Sequence, residues 1–295
     1  MEFSLIICTY QRPEELKRVL DQLCQQLEKF SLDIEIIVAN NNSSYPTGTL
    51  IEAFSAVDQR IKPIFVSSQG KSYALNAGIK AAKSDWLIFT DDDIVLSDDW
   101  LMGVAKFIRQ NKADCFVGRI LPRWDNPVPD WYDERMGSVL VKFDHGPTSE
   151  RPIQYLVGAN MGIKRQVFEQ YGYFNETLPR FEDSELSLRL TGKVKMTYVP
   201  DILIYHPVYP YRVSQEYFRR WYFDVGRLID PYIVESEKYK ICGIPRWVYR
   251  EYAWHWMNRL MAKKANDRFF HELQLSRLKG LFKSRWAINH TTHLL

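Results

Sequence analysis

Cysteine is scarce in this chain: Cys8, Cys24, Cys115 and Cys242 are its four among 295 residues, widely spaced and with no CxxC pair. This excludes a disulfide scaffold or a cysteine-rich zinc module, and the four read as reduced packing residues of a cytoplasmic protein. No run of about 18 apolar residues is present, so no membrane-spanning helix is expected. The N-terminus enters an apolar run at Phe3 with no basic stretch or cleavage site before it, so no secretory signal is expected. Internal repeats and low-complexity tracts are also missing. The formal net charge is only +3 and gives no sign of a nucleic-acid partner. The chain does have an ordinary globular balance, 46% hydrophobic and 25% charged, with enough length for a sizeable core.

Apolar runs alternate with helical patterns through the first hundred residues. Phe3 to Cys8 is a strand-like run, and Pro13 opens a helix whose Leu16, Val19, Leu20, Leu23, Cys24 and Leu27 share one face. Ile34 to Ala39 reads as a second buried strand ended by the turn-forming NNNSSYP. A short helix over Leu50 to Val57, a strand over Ile61 to Val66 and a helix over Lys71 to Lys83 follow. Then comes WLIFTDDD, Trp86 to Asp93, an apolar strand that stops in three adjacent carboxylates. This rhythm predicts a parallel, doubly wound α/β sheet, in which ligands bind outside the C-terminal strand ends. The loops on that rim are Thr9 to Arg12, Asn40 to Ser44, Ser68 to Ser72 and Thr90 to Asp93, all polar and suited to phosphate or metal.

A helix over Leu101 to Ile108 and a strand over Cys115 to Leu121 come next. Pro122 to Pro152 reads as a long, partly ordered surface excursion punctuated by five prolines. Regular structure is expected again over Tyr155 to Lys164 and Gln166 to Tyr171, in a helix from about Glu182, and in strands over Lys195 to Val199 and Ile202 to Tyr205. Beyond His206 the chain turns aromatic and basic: Arg246 to Arg285 holds ten Lys or Arg against three acids.

Asp91, Asp92 and Asp93 are the first candidates for chemistry. Alternation on a strand end lets Asp91 and Asp93 share a face, and such oxygen ligands suit Mg²⁺ or Mn²⁺. A solvated acidic turn capping the next helix is the plainer reading. In FEDSELSLRL, Asp183 shares a stripe with Leu186 and Leu190, while Glu182, Glu185 and Arg189 form a neighbouring polar row. A carboxylate at a helix start beside a cleft suits a general base, although it can equally just complement the helix dipole. His206 is either a ligand or a structural histidine. Arg12, Lys71 and Arg212 are candidate diphosphate clamps or plain surface charge. Trp124 and Trp131 either stack on a sugar or pin their Pro-rich loop.

Together, TYQRP, IIVANNNSS, GKSYALNAGIKAA before WLIFTDDD, GANMGIKR and FEDSELSLRL closely resemble the inverting family 2 glycosyltransferases of the GT-A fold, over roughly residues 3 to 206. The resemblance implies a Rossmann-like nucleotide-diphospho-sugar transferase domain over 1–206. Its donor half would be about 1–115 and its acceptor half about 116–206, with a mainly helical region over 207–295. It implies a UDP-, dTDP- or GDP-linked donor, Mn²⁺ or Mg²⁺, and a saccharide, lipid-linked or other hydroxyl acceptor. Thr9, Tyr10 and Arg12 would border the base, with Asn40 where the family commonly has an aspartate. Lys71 and Asn76 would line the donor pocket. Asp91 and Asp92 would face the donor, Asp93 would hold the metal with Asp91 and His206, and Asp183 would be the base. Gly158, Ala159 and Asn160, with Glu182, Trp124 and Trp131, would form the acceptor side.

Two other readings compete. LIFTDDDIVL also fits the nucleophile motif of haloacid-dehalogenase-type phosphohydrolases, with Asp91 as nucleophile and Asp93 as acid. The basic, aromatic C-terminal region also fits a non-catalytic assembly subunit at the inner face of a membrane, or an enzyme with weak peripheral attachment there.

Overall fold

The structure is a computed structural model that describes residues 1–44, 46–235 and 237–291. Tyr45 in the expected NNNSSYP turn, and Ser236 and 292–295 of the expected C-terminal region, lie outside the described residues. The chain divides into two compact units, 1–123 with 141–207, and 124–140 with 208–295.

In the first unit the elements run β1 (Phe3–Thr9), α1 (Pro13–Lys29), β2 (Ile34–Asn40), α2 (Thr47–Val57), β3 (Ile61–Phe65), α3 (Lys71–Ala81), β4 (Trp86–Asp91), β5 (Val95–Leu96), α4 (Trp100–Gln110) and β6 (Cys115–Arg123). They continue with β7 (Arg151–Pro152), β8 (Asn160–Lys164), α5 (Arg165–Tyr171), α6 (Glu182–Leu190) and β9 (Met196–Pro207). One sheet runs in the order β3-β2-β1-β4-β8-β6-β9-β5, with β7 against β9. Strand residues alternate between two cores. Leu5, Ile7, Ile36, Val38 and Ile88 meet α1 and α4 on one face; Ile6, Ile37, Leu87 and Phe89 meet α3, α5 and α6 on the other. Burial on both faces explains why these strands are continuously apolar.

The parallel sheet expected from the first hundred residues is present there, and the later strands make the whole sheet mixed. β3, β2, β1 and β4 are parallel, but β8 lies antiparallel between β4 and β6, and β5 and β7 pair antiparallel with β9. Composition gave no warning, because a strand buried on both faces reads the same in either direction. The two strands expected over 195–205 are one long strand, β9, whose pairing with β6 slips between Gly118 and Arg119. Gly118 is required at that slip, since a Cβ would overlap the Asn160 side chain and the Ile202 carbonyl. In the stretch from Tyr155 only Asn160–Lys164 is strand.

The second unit holds α7 (Gln215–Leu228), α8 (Asp230–Val234), a hairpin of β10 (Lys240–Ile241) and β11 (Ile244–Pro245), α9 (Arg246–Met261) and α10 (Ala265–Thr291). The expected surface excursion is also corrected. Its part 124–140 forms a 3-10 helix, Glu134–Leu140, whose Met136, Val139 and Leu140 are buried beside Phe218 and Leu273. Prolines hid that apolar content from a periodicity argument. All four cysteines are free; Cys115 is buried, but Cys242 is exposed, against the expectation of a packing residue.

Candidate active site

Sheet register gathers the acids and their neighbours at one rim. Asp91 ends β4 opposite Cys8 of β1, and Thr9 pairs with Asn40 at the ends of β1 and β2. Because β8 is antiparallel, its first residue, Asn160, meets Thr90, and the Thr90 hydroxyl donates to the Ala159 carbonyl at 2.9 Å. β5 begins two residues after Asp93 and pairs Val95 with Tyr205, which brings His206 to the acids. One ligand atom each of Asp91, Asp93 and His206 lies within 4.8 Å of the others. His206 Nδ1 is 3.2 Å from the Pro207 carbonyl, and a carbonyl only accepts. Nδ1 is therefore the donor in that contact, and the ring turns Nε2 toward Asp93 Oδ1 at 3.6 Å. Two carboxylates and an imidazole nitrogen form a donor set that suits Mn²⁺ or Mg²⁺.

Cations stand against the acids from both sides. Arg12 Nη1 donates to Asp93 Oδ2 at 2.8 Å and to Asp92 Oδ1 at 3.2 Å. Burial, together with the like charge of Asp93, pushes the Asp92 carboxyl up to about 7 against the pull of Arg12. Asp92 thus offers the triplet a neutral form. Lys71, the first residue of α3, donates to Asp91 Oδ1 at 2.7 Å and lies 3.4 Å from Glu182 Oε1. Burial would lower its pKa, but the Asp91 and Glu182 carboxylates outweigh that and hold the ammonium firmly charged.

α3 and α6 both bury leucines under β4, Leu75 from one and Leu186 and Leu190 from the other, so their N-termini converge on the same rim. α6 opens with Glu182 and Asp183 after Phe181, whose left-handed φ of 66° turns the chain into the helix. Asp183 Oδ2 accepts from the Gly158 amide at 2.9 Å and Oδ1 from the Ser184 amide at 2.7 Å. Ser187 Oγ donates to the Asp183 carbonyl at 2.6 Å and accepts from the Leu156 amide at 2.7 Å, so loop 156–158 is tied to the helix at two points. Burial and the neighbouring Glu182 charge push Asp183 up to about 6, while the Gly158 amide and Lys71 pull it down. The polar row expected of α6 is an internal one, because Glu182 and Glu185 are buried and Glu185 is held by Arg189 at 2.7 Å.

Other expected residues occupy varied places. Thr9 and Asn40 are buried and Tyr10 is exposed; Asn40 Oδ1 accepts from the Ser43 amide at 2.9 Å. Asn76 uses both ends of its amide on the Phe174 backbone at 3.0 Å, and also reaches Glu176 at 2.8 Å. Asn160 is wholly buried: it accepts from Trp100 Nε1 at 3.0 Å and donates to the Ile202 and Arg119 carbonyls at 2.7 and 3.2 Å. Trp124, Trp131 and Arg212 belong to the second unit. There Trp131 packs edge-on against Phe218 and Phe269, Trp124 against Tyr132, and Arg212 over the Tyr209 and Tyr211 rings. Sequence reading missed Asn41, which donates to the Ser68 carbonyl at 2.7 Å and accepts from the Gly70 amide at 2.8 Å, locking two rim loops together. An asparagine run at a strand end was the available signal.

Residues 4–172, more than half of the chain, match the profile of glycosyl transferase family 2. The chain belongs to this family. It is 30% identical to glycosyltransferase GlyA of Streptococcus pneumoniae over 117 residues, which are 40% of this chain and 16% of that protein. The chain spans less than a third of the length of several curated relatives that it matches. S. aureus TarS in complex with UDP-GlcNAc has the same fold, with a TM-score of 0.58 at 14% identity over 99% of this chain and 92% of that one. So does a mannosyltransferase of Pyrobaculum calidifontis in complex with GDP-Man and Mn²⁺, with a TM-score of 0.62 at 14% identity over 97% and 87%. Family membership sets aside the phosphohydrolase reading of the aspartate triplet.

Proposed function

We propose that this chain transfers a sugar from a nucleoside-diphosphate donor to an acceptor hydroxyl in one inverting displacement. The observation that carries the reading is the pair of carboxylate groups on either side of Lys71: Asp91, with Asp93 and His206 beside it, on one side, and Asp183 with Glu182 on the other. Solved members of the fold hold UDP-GlcNAc or GDP-Man with Mn²⁺, which supports a UDP-, dTDP- or GDP-linked donor and a divalent ion.

Asp91, Asp93 and His206 would hold Mn²⁺ or Mg²⁺, and such an ion supplies charge neutralisation to a departing diphosphate. Arg12 and Lys71 add fixed positive charge on the same side. Thr9, Tyr10 and Asn40 border the base. Asp183 takes the proton of the acceptor hydroxyl as its oxygen bonds to the anomeric carbon. The bond from that carbon to the diphosphate oxygen breaks on the opposite face, and the diphosphate leaves with the electron pair. A pKa of about 6 leaves Asp183 mostly ionised at neutral pH while keeping it a usable base. Gly158 and Ala159 line the acceptor side, with Asn160 supporting them from the core. The acceptor is a saccharide, lipid-linked or other hydroxyl compound, in polysaccharide or glycoconjugate assembly. The setting we infer is cytoplasmic, with weak peripheral contact at the inner face of the membrane.

A thermal-shift screen of UDP, dTDP and GDP, with and without Mn²⁺, tests the donor reading. One nucleotide should raise the Tm more with Mn²⁺ than without; no shift with any of them would overturn it.

A further inference from the structure

α9 carries more exposed apolar side chain than any other helix among the described residues. Its inner positions, Val248, Tyr252, His255 and Arg259, recur at helical spacing and face α10: Val248 packs with Leu278 and Leu281, Tyr252 against Phe282, and His255 Nδ1 lies 2.9 Å from His271 Nδ1. Exposed beyond these are Trp247, Trp254, Met257 and Met261 on one stripe and Tyr249, Trp256 and Leu260 on the next, with the Trp254 and Tyr249 rings each also touching α10, at His271 and Phe282. Trp254 is 52% exposed, Trp256 51%, Leu260 62% and Met261 66%. The preceding hairpin extends this surface, since Tyr249 donates to the Ile241 carbonyl at 2.9 Å and Ile241 is itself exposed. Contiguous apolar surface of this kind marks an interaction site.

Charge decides the partner. Arg259 is held by Glu272 of α10 at 3.4 Å, so the exposed cations between Arg246 and Lys264 are Arg246, Arg250, Lys263 and Lys264, and the one acid is Glu251. Glu251 is half-buried and 3.7 Å from His255 Nε2, so the outer face presents cations and aromatics without a carboxylate. Tryptophan and tyrosine rings favour the boundary between headgroups and acyl chains, and Lys and Arg favour anionic headgroups. At 16 residues α9 spans about 24 Å, too short and too charged to cross a bilayer. Among the described residues no helix is long and apolar enough to do so.

We propose that the outer face of α9, with the β10–β11 hairpin, is a docking surface for an anionic phospholipid bilayer, on which the helix lies in the plane of the headgroups. This specifies the peripheral contact inferred above and does not depend on the transfer chemistry.

The test is flotation of the whole protein with vesicles of phosphatidylcholine alone or mixed with phosphatidylglycerol. The protein should float with the anionic vesicles only, and added salt should release it. Trp254→Ala/Trp256→Ala/Leu260→Ala and Arg250→Glu/Lys263→Glu/Lys264→Glu should each weaken partition about tenfold or more. Lys17→Glu/Lys29→Glu, on α1, should leave it unchanged. Retention of the nucleotide and Mn²⁺ thermal shift in the α9 variants would show that they remain folded; a wild-type chain that floats but gives no such shift fails the donor reading alone. No flotation with anionic vesicles, or undiminished flotation of both variants, overturns the docking surface. So does a concentration-dependent mass by light scattering that the variants abolish without any vesicle binding, which would make a second copy the occupant.

Discussion

The ammonium of Lys71 lies 2.7 Å from the carboxylate of Asp91, at the end of the strand that carries the aspartate triplet. Its other side faces Glu182, 3.4 Å away, at the start of the helix that carries Asp183. One cation thus joins two acid groups that are ninety residues apart in the chain.

Replacing that cation should therefore be felt on both sides. Lys71→Met is expected to lower kcat/KM by about 100-fold, as the loss of a fixed charge beside a developing anion does. Because Lys71 holds the pKa of Asp183 down, the acid limb of the pH profile should also move to higher pH. A profile that falls in amplitude without moving would argue that Lys71 serves the donor alone.

Asp183 should set that acid limb in the wild type. Its pKa is about 6, so kcat/KM should fall as pH drops through that value and level off above it. Asp183→Asn should abolish transfer while leaving nucleotide binding, measured by calorimetry, within about twofold. The stability effect has the opposite sign. A carboxyl whose folded-state pKa lies above the unfolded value of 3.8 binds its proton more tightly when folded, so its ionisation costs stability as pH rises from 3.8 through about 6. The wild type should thus lose about 1–2 kcal/mol of stability relative to the asparagine variant between about pH 4 and pH 7, whatever the variant's own offset from losing one of the two amide contacts to Asp183. A stability difference between the two that does not change with pH would contradict this environment for Asp183.

Asp93→Ala should remove the Mn²⁺-dependent part of nucleotide affinity, because the carboxylate and His206 face each other across the donor set. His206→Gln should weaken apparent Mn²⁺ affinity by about 10–100-fold. Calorimetry with and without Mn²⁺ distinguishes the two; equal nucleotide affinity under both conditions in the wild type would dismiss the ion.

Asn160→Ala should act on folding. It would strand the Trp100 indole N–H and leave the Ile202 and Arg119 carbonyls short of a donor inside the core. A loss of about 3 kcal/mol or more is expected by chemical denaturation. A well-folded variant with a selectively raised acceptor KM would instead make Asn160 an acceptor contact.

Sequence reading located the rim loops, because apolar strands with abrupt polar ends are a local signal, and the triplet after Trp86–Thr90 is an extreme case. It did not find the direction of β8, since residues buried on both faces carry no record of strand polarity. Nor did periodicity separate residues that face a ligand from those that face the core: Asn76 and Asn160 stand in motif-like stretches, yet both spend their amides on backbone groups and on one side chain each, Glu176 and Trp100. Which partner a polar side chain finds depends on strands distant in sequence. Lys71 and Asp91 were legible singly, and their pairing was not.

The two-residue strand β5 has a consequence for synthesis on the ribosome. It draws the last strand of the sheet to the acids, so the gathering of Asp93 and His206 waits until more than a hundred further residues have been made. Residues 4–172, the part shared with the family profile, end before His206 exists. A nascent chain of that length would carry the aspartates but could not close the cluster around them, so this site is among the last features of the first unit to be completed.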